Sequence, residues 1–151
     1  MPSVNIQIDP AKGPVVLAVI TPSQYRLNAL KAANLSAPQP TSGLFLVDTG
    51  ASHTCVDPTI LQPLQLTPTG TSSFQTPSTN GTPVQSSSYD VQMHIMPLNS
   101  KGLSPQPHSR AVCVSSMNFL SQGISGLIGR DILEHCHLVY NGHTQSFSLC
   151  W

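Results

Sequence analysis

Leu44-Phe45-Leu46-Val47-Asp48-Thr49-Gly50-Ala51-Ser52 runs four apolar residues directly into an aspartate and a glycine-containing turn. An apolar run of that length reads as a buried strand, so Asp48 sits where the strand ends, at a sheet edge partly shielded from water. A carboxylate so placed can serve as a general acid or base. Thr49 is β-branched and carries a hydroxyl able to tie the turn to a neighbour, while Gly50 permits a backbone path that other residues resist. Ser52 offers one more hydrogen bond to fix the carboxylate. The same letters also describe an ordinary strand and turn, since Asp and Gly are common turn residues.

A second segment far downstream repeats the logic. Gly126-Leu127-Ile128-Gly129-Arg130-Asp131-Ile132-Leu133 is an apolar strand pinched between glycines, followed by a short helix-forming stretch. The glycines let another backbone pass close by. With both motifs in this order and at domain-scale separation, the chain resembles the retropepsins, the single-domain aspartic proteases of retroviruses and their cellular and bacterial relatives. The likeness is strongest to the bacterial stand-alone type and runs from about Leu44 to the C-terminus.

The resemblance implies an all-β, half-pepsin fold, a closed β-barrel-like domain spanning 1–151 with a flap hairpin and one or two short helices. It implies that Asp48, Thr49 and Gly50 are catalytic. It further implies that Ala51, Ser52, Leu127 and Ile128, together with the flap residues Ser78, Thr79, Asn80 and Gly81, meet a peptide or protein substrate. Aspartic proteases use two carboxylates that share one proton, because repulsion keeps one protonated while the other stays ionised. Only one Asp-Thr-Gly is present, and Asp9, Asp57, Asp90, Asp131 and Glu134 lack the turn that follows it. The second carboxylate is therefore expected from Asp48 of an identical subunit across a two-fold axis, the commonest oligomer symmetry. The 137–151 hairpin is the expected dimer interface. No cofactor is required. From a different class, a catalytically silent dimeric module would use the same groove to bind peptide.

One family feature is missing. Viral enzymes often carry an aspartate where Ser52 stands, paired with the arginine of the downstream segment. Arg130 must then find Asp57, Glu134 or backbone carbonyls, and a structural role is expected for it.

Composition agrees with this reading. The chain of 151 residues is one domain by length, and with only 8% Asp, Glu, Lys and Arg, zero formal charge and no basic run it suits no nucleic-acid partner. Fourteen prolines and abundant Ser and Thr favour short strands and loops. No apolar run approaches the roughly 20 residues that span a bilayer, and the N-terminus lacks signal-peptide character, so no membrane partner and a cytoplasmic location are expected. Cys55, Cys113, Cys136 and Cys150 are irregularly spaced, which suits reduced thiols.

Along the chain, Val4 to Ile8 and Val15 to Ile20 read as two strands forming an N-terminal hairpin. Residues 22–40 are an insertion relative to the viral pattern. It holds a helix over Ser23 to Leu35, with Tyr25, Leu27, Leu30 and Ala33 on one side, and Pro38 and Pro40 stop it. Covering a sheet edge is its expected purpose. Asp57-Pro58 caps a short helix through Leu61, and Leu64 and Leu66 return to the core. Residues 70–88 form a polar hairpin about Asn80-Gly81, the flap of the resemblance. Tyr89 to Met96 alternates as a half-buried strand, Asn99 to Ser109 is a loop, Ala111 to Val114 is a core strand, and Phe119 and Leu120 anchor the approach to Gly123. Asn141-Gly142 joins two final strands.

Two competing chemistries are weaker. His135, Cys136, His137, His143 and Cys150 are zinc-ligand types, but neighbours on a strand face opposite ways and no Cys-x-x-Cys or His-x-x-x-His pair exists, so no metal is expected. No Gly-x-Ser-x-Gly elbow supports a serine hydrolase, and the nearness of His53 to Cys55 in sequence does not make a dyad. His53 is expected to be a surface histidine beside the loop.

Overall fold

In the computed structural model, which describes residues 3–75, 81–96 and 107–151, the chain is mostly β and closes on itself. Strands β1 (Ser3–Gln7), β2 (Val15–Pro22) and β3 (Thr41–Val47) are followed by β4 (Cys55–Val56), β5 (Gly70–Phe74) and β6 (Val84–Ile95). Then come β7 (His108–Ser116), β8 (Gly126–Ile128), β9 (His137–Asn141) and β10 (Ser146–Cys150). Six of them form a ring in the order β2-β3-β8-β4-β7-β6, closed by β6 pairing with β2; β5 hangs from β6 outside the ring. Closure removes free edges from the ring.

The inward positions of these strands supply the core. Val16, Ala18, Ile20, Phe45, Val47, Val56, Val91, Met93, Ile95, Val114 and Ile128 are buried together. Their alternation with half-exposed neighbours is the period of two that a sheet imposes. A second, smaller cluster of Val15, Cys55, Phe119 and Ile124, with Leu46, Phe74, Met117 and Leu127 against it, lies to one side.

Among the described residues, three short α-helices punctuate the strands. Helix α1 (Gln24–Ala32) begins where the Ser23 side chain accepts from Arg26 N, and it buries Leu30. Tyr25, expected on the same side, is 90% exposed. Helix α2 (Pro58–Leu61) starts at the expected cap, with Asp57 accepting from Thr59 N and Pro58 at the first position. Helix α3 (Arg130–Leu133) follows β8 directly.

The N-terminal hairpin does not form. β1 pairs antiparallel with β10, Ser3 opposite Cys150 through Gln7 opposite Ser146, and β9 completes a three-stranded sheet. β2 pairs instead with β3 and β6, so neither β2 nor β3 has an edge for the 22–40 insertion to cover. Separating β1 from β2, the turn at Asp9 to Gly13 lets the chain leave one sheet for the other. His108 and Ser109, expected in a loop, extend β7 opposite Ile95 and His94, and Leu120 is 62% exposed whereas Phe119 is buried.

Candidate functional site

Strands β3 and β8 run parallel, with Val47 opposite Ile128. Parallel neighbours end at the same side, so the Asp48 turn and the Gly129-Arg130 corner emerge together, although they are far apart in sequence. The pairing continues one step further, as Asp48 N donates to Ile128 O at 3.0 Å.

Beyond that point the loop between β3 and β4 is held by its own carboxylate and by α3. Gly50 N donates to Asp48 Oδ1 at 2.8 Å, a turn in which the side chain mimics a backbone acceptor. Arg130 N donates to Ala51 O at 3.0 Å. The Arg130 guanidinium spreads across the loop: Nη1 donates to Thr49 O at 2.9 Å and Gly50 O at 3.3 Å, and Nη2 to Ser52 Oγ at 3.1 Å. Of the three partners weighed for Arg130, backbone carbonyls take the role, with Ser52 standing in for the missing aspartate.

Asp131 grips the far end of the same loop. Its carboxylate accepts from both the amide and the hydroxyl of Thr54, and that hydroxyl accepts from Gly129 N at 3.1 Å. Gly129 is required by contact: a Cβ there would stand 2.5 Å from the His53 carbonyl carbon. Gly126 answers the same need at the start of β8, since a Cβ would lie 2.2 Å from Cys55 O and 2.6 Å from the Phe45 ring.

In front of the loop is a cleft of about 570 Å³, lined by Asp48, Gly50, Ala51, Ser52, His53, Cys55, Ser73, Phe74, Gln75, Met117 and Leu127. Its far wall is the hairpin strand β5, which pairs with β6 from Gly70 opposite Ser88 to Phe74 opposite Val84. Gln75 Nε2 reaches across to Gly81 O at 2.8 Å, tying the two arms together. Two smaller hollows elsewhere are lined by no carboxylate, imidazole or thiol.

The floor is apolar and continuous with the second core cluster. Burial pushes the Cys55 thiol up to about 12, and the carboxylates of Asp131 and Asp48 push the same way. Cys55 is therefore a neutral wall rather than a nucleophile. Asp57 braces the floor from below. Its Oδ2 accepts from Phe119 N at 2.6 Å and Leu120 N at 3.2 Å, which fixes the segment that delivers Met117.

The expected site residues divide. Asp48, Gly50, Ala51, Ser52 and Leu127 share the cleft. Thr49 is exposed outside the lining, its carbonyl held by Arg130, and Ile128 is wholly buried in the main core on the strand face opposite Leu127. Gly81 is exposed at φ 79°, a left-handed conformation suited to glycine. Ser78, Thr79 and Asn80 lie outside the described residues. His53, Ser73, Phe74, Gln75 and Met117 line the cleft without having been read as site residues. Phe74 carried a signal, being the one aromatic in the polar stretch from Thr67 to Ser88. Thr54 and Asp131 carried none, because their pairing depends on tertiary placement.

Among the described residues no cluster of His, Cys, Asp or Glu is placed to hold a metal ion, and all four cysteines are free thiols. No helix among them is long and apolar enough to cross a membrane. Compared with known proteins, the chain matches no family model and no curated sequence.

Proposed function

We propose that the chain is a retropepsin-like aspartic endopeptidase that acts as a homodimer. The observation that carries this reading is the cleft that joins Asp48 to a hairpin strand. An acid is presented at the end of a barrel strand, opposite an arm positioned to lie over an extended peptide. The braced loop supports it, because a catalytic carboxylate works only if its geometry is fixed before substrate arrives.

Asp48 is the sole carboxylate lining the cleft among the described residues, so the second comes from a second copy. An unpaired edge suits that assembly. Strand β9 ends the three-stranded sheet and exposes Val139 and Tyr140 by 59% and 57%, which a matching β9 can cover. In the dimer one Asp48 is ionised and takes a proton from a water as that water's oxygen bonds to the peptide carbonyl carbon. The other Asp48, protonated, donates to the carbonyl oxygen. As the tetrahedral centre collapses and the C–N bond breaks, the first Asp48 passes its proton to the leaving nitrogen and the other takes one from a diol hydroxyl, giving a carboxylic acid and an amine with one proton again shared by the pair.

The test is a peptide library incubated with the purified chain at mildly acidic pH, with products read by mass spectrometry and dimerisation by sedimentation. Cleavage inhibited by pepstatin and abolished in a still-dimeric Asp48→Asn variant is the expected result. Cleavage that persists in the pure variant refutes the assignment, and a dimer that binds peptide without turnover at any pH makes the chain a binding module.

A further inference from the structure

The lining of the cleft is uneven in charge. Ala51, Phe74, Met117 and Leu127 are apolar, Cys55 is neutral, and Gly50, Ser52, Ser73 and Gln75 carry no charge. Among the described residues of the lining, Asp48 and His53 remain as the one carboxylate and the one imidazole. Under the reading above Asp48 is committed to the reacting water, which leaves His53 to meet a substrate side chain.

His53 is held as a recognition residue needs to be. Its side chain is exposed, but its main chain is pressed against Gly129, so closely that no Cβ fits between them. The next residue, Thr54, is anchored twice to Asp131, and Cys55 Sγ donates to His53 O at 3.7 Å. An imidazole on a fixed backbone loses little freedom when it takes a partner.

The charged groups around it are already engaged. Asp131 lies behind the loop and is bound to Thr54; Arg130 is spread over Thr49 O, Gly50 O and Ser52 Oγ. From the opposite wall, among the described residues, β5 offers Ser73 and Phe74 and the residue after it Gln75, and Met117 and Leu127 bring no charge. The two ion pairs among the described residues, Lys12 with Asp9 and His135 with Glu134, do not involve His53. Its imidazole donates N–H to an acceptor, and a carboxylate accepts more strongly than a neutral oxygen.

We infer that His53 makes the cleft selective for an extended peptide that places an acidic side chain beside the apolar residues seated on Phe74, Met117 and Leu127. This rests on the peptide-binding reading of the cleft and adds to it the substrate class. A basic side chain at the same place offers no acceptor; a glutamine accepts through a neutral oxygen only.

The experiment separates recognition from turnover. Fluorescent apolar octapeptides with Glu or Gln scanned through each position are titrated by anisotropy against the Asp48→Asn protein, which leaves them intact. At one position the Glu peptide is expected to bind about three- to tenfold more tightly than its Gln twin, the margin of a hydrogen bond to a charged over a neutral acceptor. Adding His53→Gln brings that ratio to about one, and His53→Lys in its place restores it. No Glu preference at any position, a preference indifferent to His53→Gln, or no peptide binding at all overturns the inference. Wild-type protein with the same peptides tests the reaction separately. Preference without cleavage removes the proteolytic reading alone, and cleavage without preference removes this one alone.

Discussion

Thr54 is joined to Asp131 twice, its amide nitrogen donating to Oδ2 at 2.8 Å and its hydroxyl to Oδ1 at 2.7 Å. Thr54 is fully buried, so neither donor has water as a substitute if the carboxylate is removed. Asp131→Ala is expected to lower stability by about 2–4 kcal/mol, the cost of two orphaned polar groups. Asp131→Asn keeps one accepting oxygen and should lose about half as much. Urea unfolding measures both, and faster hydrogen exchange at the Thr54 amide reports the local release.

Gly129 has φ −89°, which any residue adopts, so its requirement is steric alone. Gly129→Ala forces a Cβ to within 2.5 Å of the His53 carbonyl carbon and 2.7 Å of its oxygen. Both are backbone atoms and cannot rotate away. A loss of about 2–3 kcal/mol follows from overpacking, with peptide binding weakened because the same displacement moves the cleft wall. Gly70→Ala, where nothing lies within 4 Å of the added atom, should stay within about 0.5 kcal/mol of wild type.

Asp57 gives stability a dependence on acid. Burial raises its carboxyl, but hydrogen bonds from Phe119 N, Thr59 N, Thr59 Oγ1 and Leu120 N outweigh burial and hold it below its ordinary value of 3.8. A carboxyl lowered on folding stabilises fully above its unfolded value and loses that contribution as the pH falls through the folded one. Wild-type stability should therefore drop as the pH descends below about 4. Asp57→Asn should be weaker at neutral pH, with a flatter acid limb, as read by thermal unfolding over a pH series.

His108 acts at milder acidity. Its ring is buried, stands 5.4 Å from the Trp151 ring and has Nε2 3.7 Å from Cys136 Sγ. Burial lowers its proton affinity below the ordinary 6.5, and Arg110 and His135 add to the effect. The unfolded chain then binds more protons between the folded value and 6.5, so stability is complete above pH 6.5 and declines as the pH falls from there towards the folded value. His108→Phe, which cannot titrate, should abolish that part of the decline. A variant that retains it places the titrating group elsewhere.

Much of this arrangement could be read from local signals. Ser23, Asp57-Pro58 and Asn141-Gly142 each mark a cap or turn by short-range hydrogen bonding, and each element begins or ends beside its marker. The Asn141 side chain holds its turn by accepting from His143 N and Thr144 N, and the second strand resumes at Ser146. Long-range pairing was less legible. Val4 to Ile8 alternates equally well whether it meets β2 or β10, because alternation specifies a face and not a neighbour. The two-residue strand Cys55–Val56 is too short to show any period, yet it sits between β8 and β7 in the ring. At the site, Asp48 announced itself by following an apolar run. His53 shares the Asp48 loop, but Phe74 and Met117 came to it from a separate strand and loop, where no spacing rule links them.

The parallel union of β3 with β8 also has a bearing on the order of events during synthesis. Thr54 and Asp131 are separated by 77 residues, and the acid-bearing loop acquires its supports only after the later segment has emerged. Chain closure over such a span is slow compared with forming the β5–β6 hairpin. A growing polypeptide thus carries Asp48 on an unbraced tether until Asp131 has emerged, and assembly of this corner is postponed until all six strands of the ring are available to enclose it.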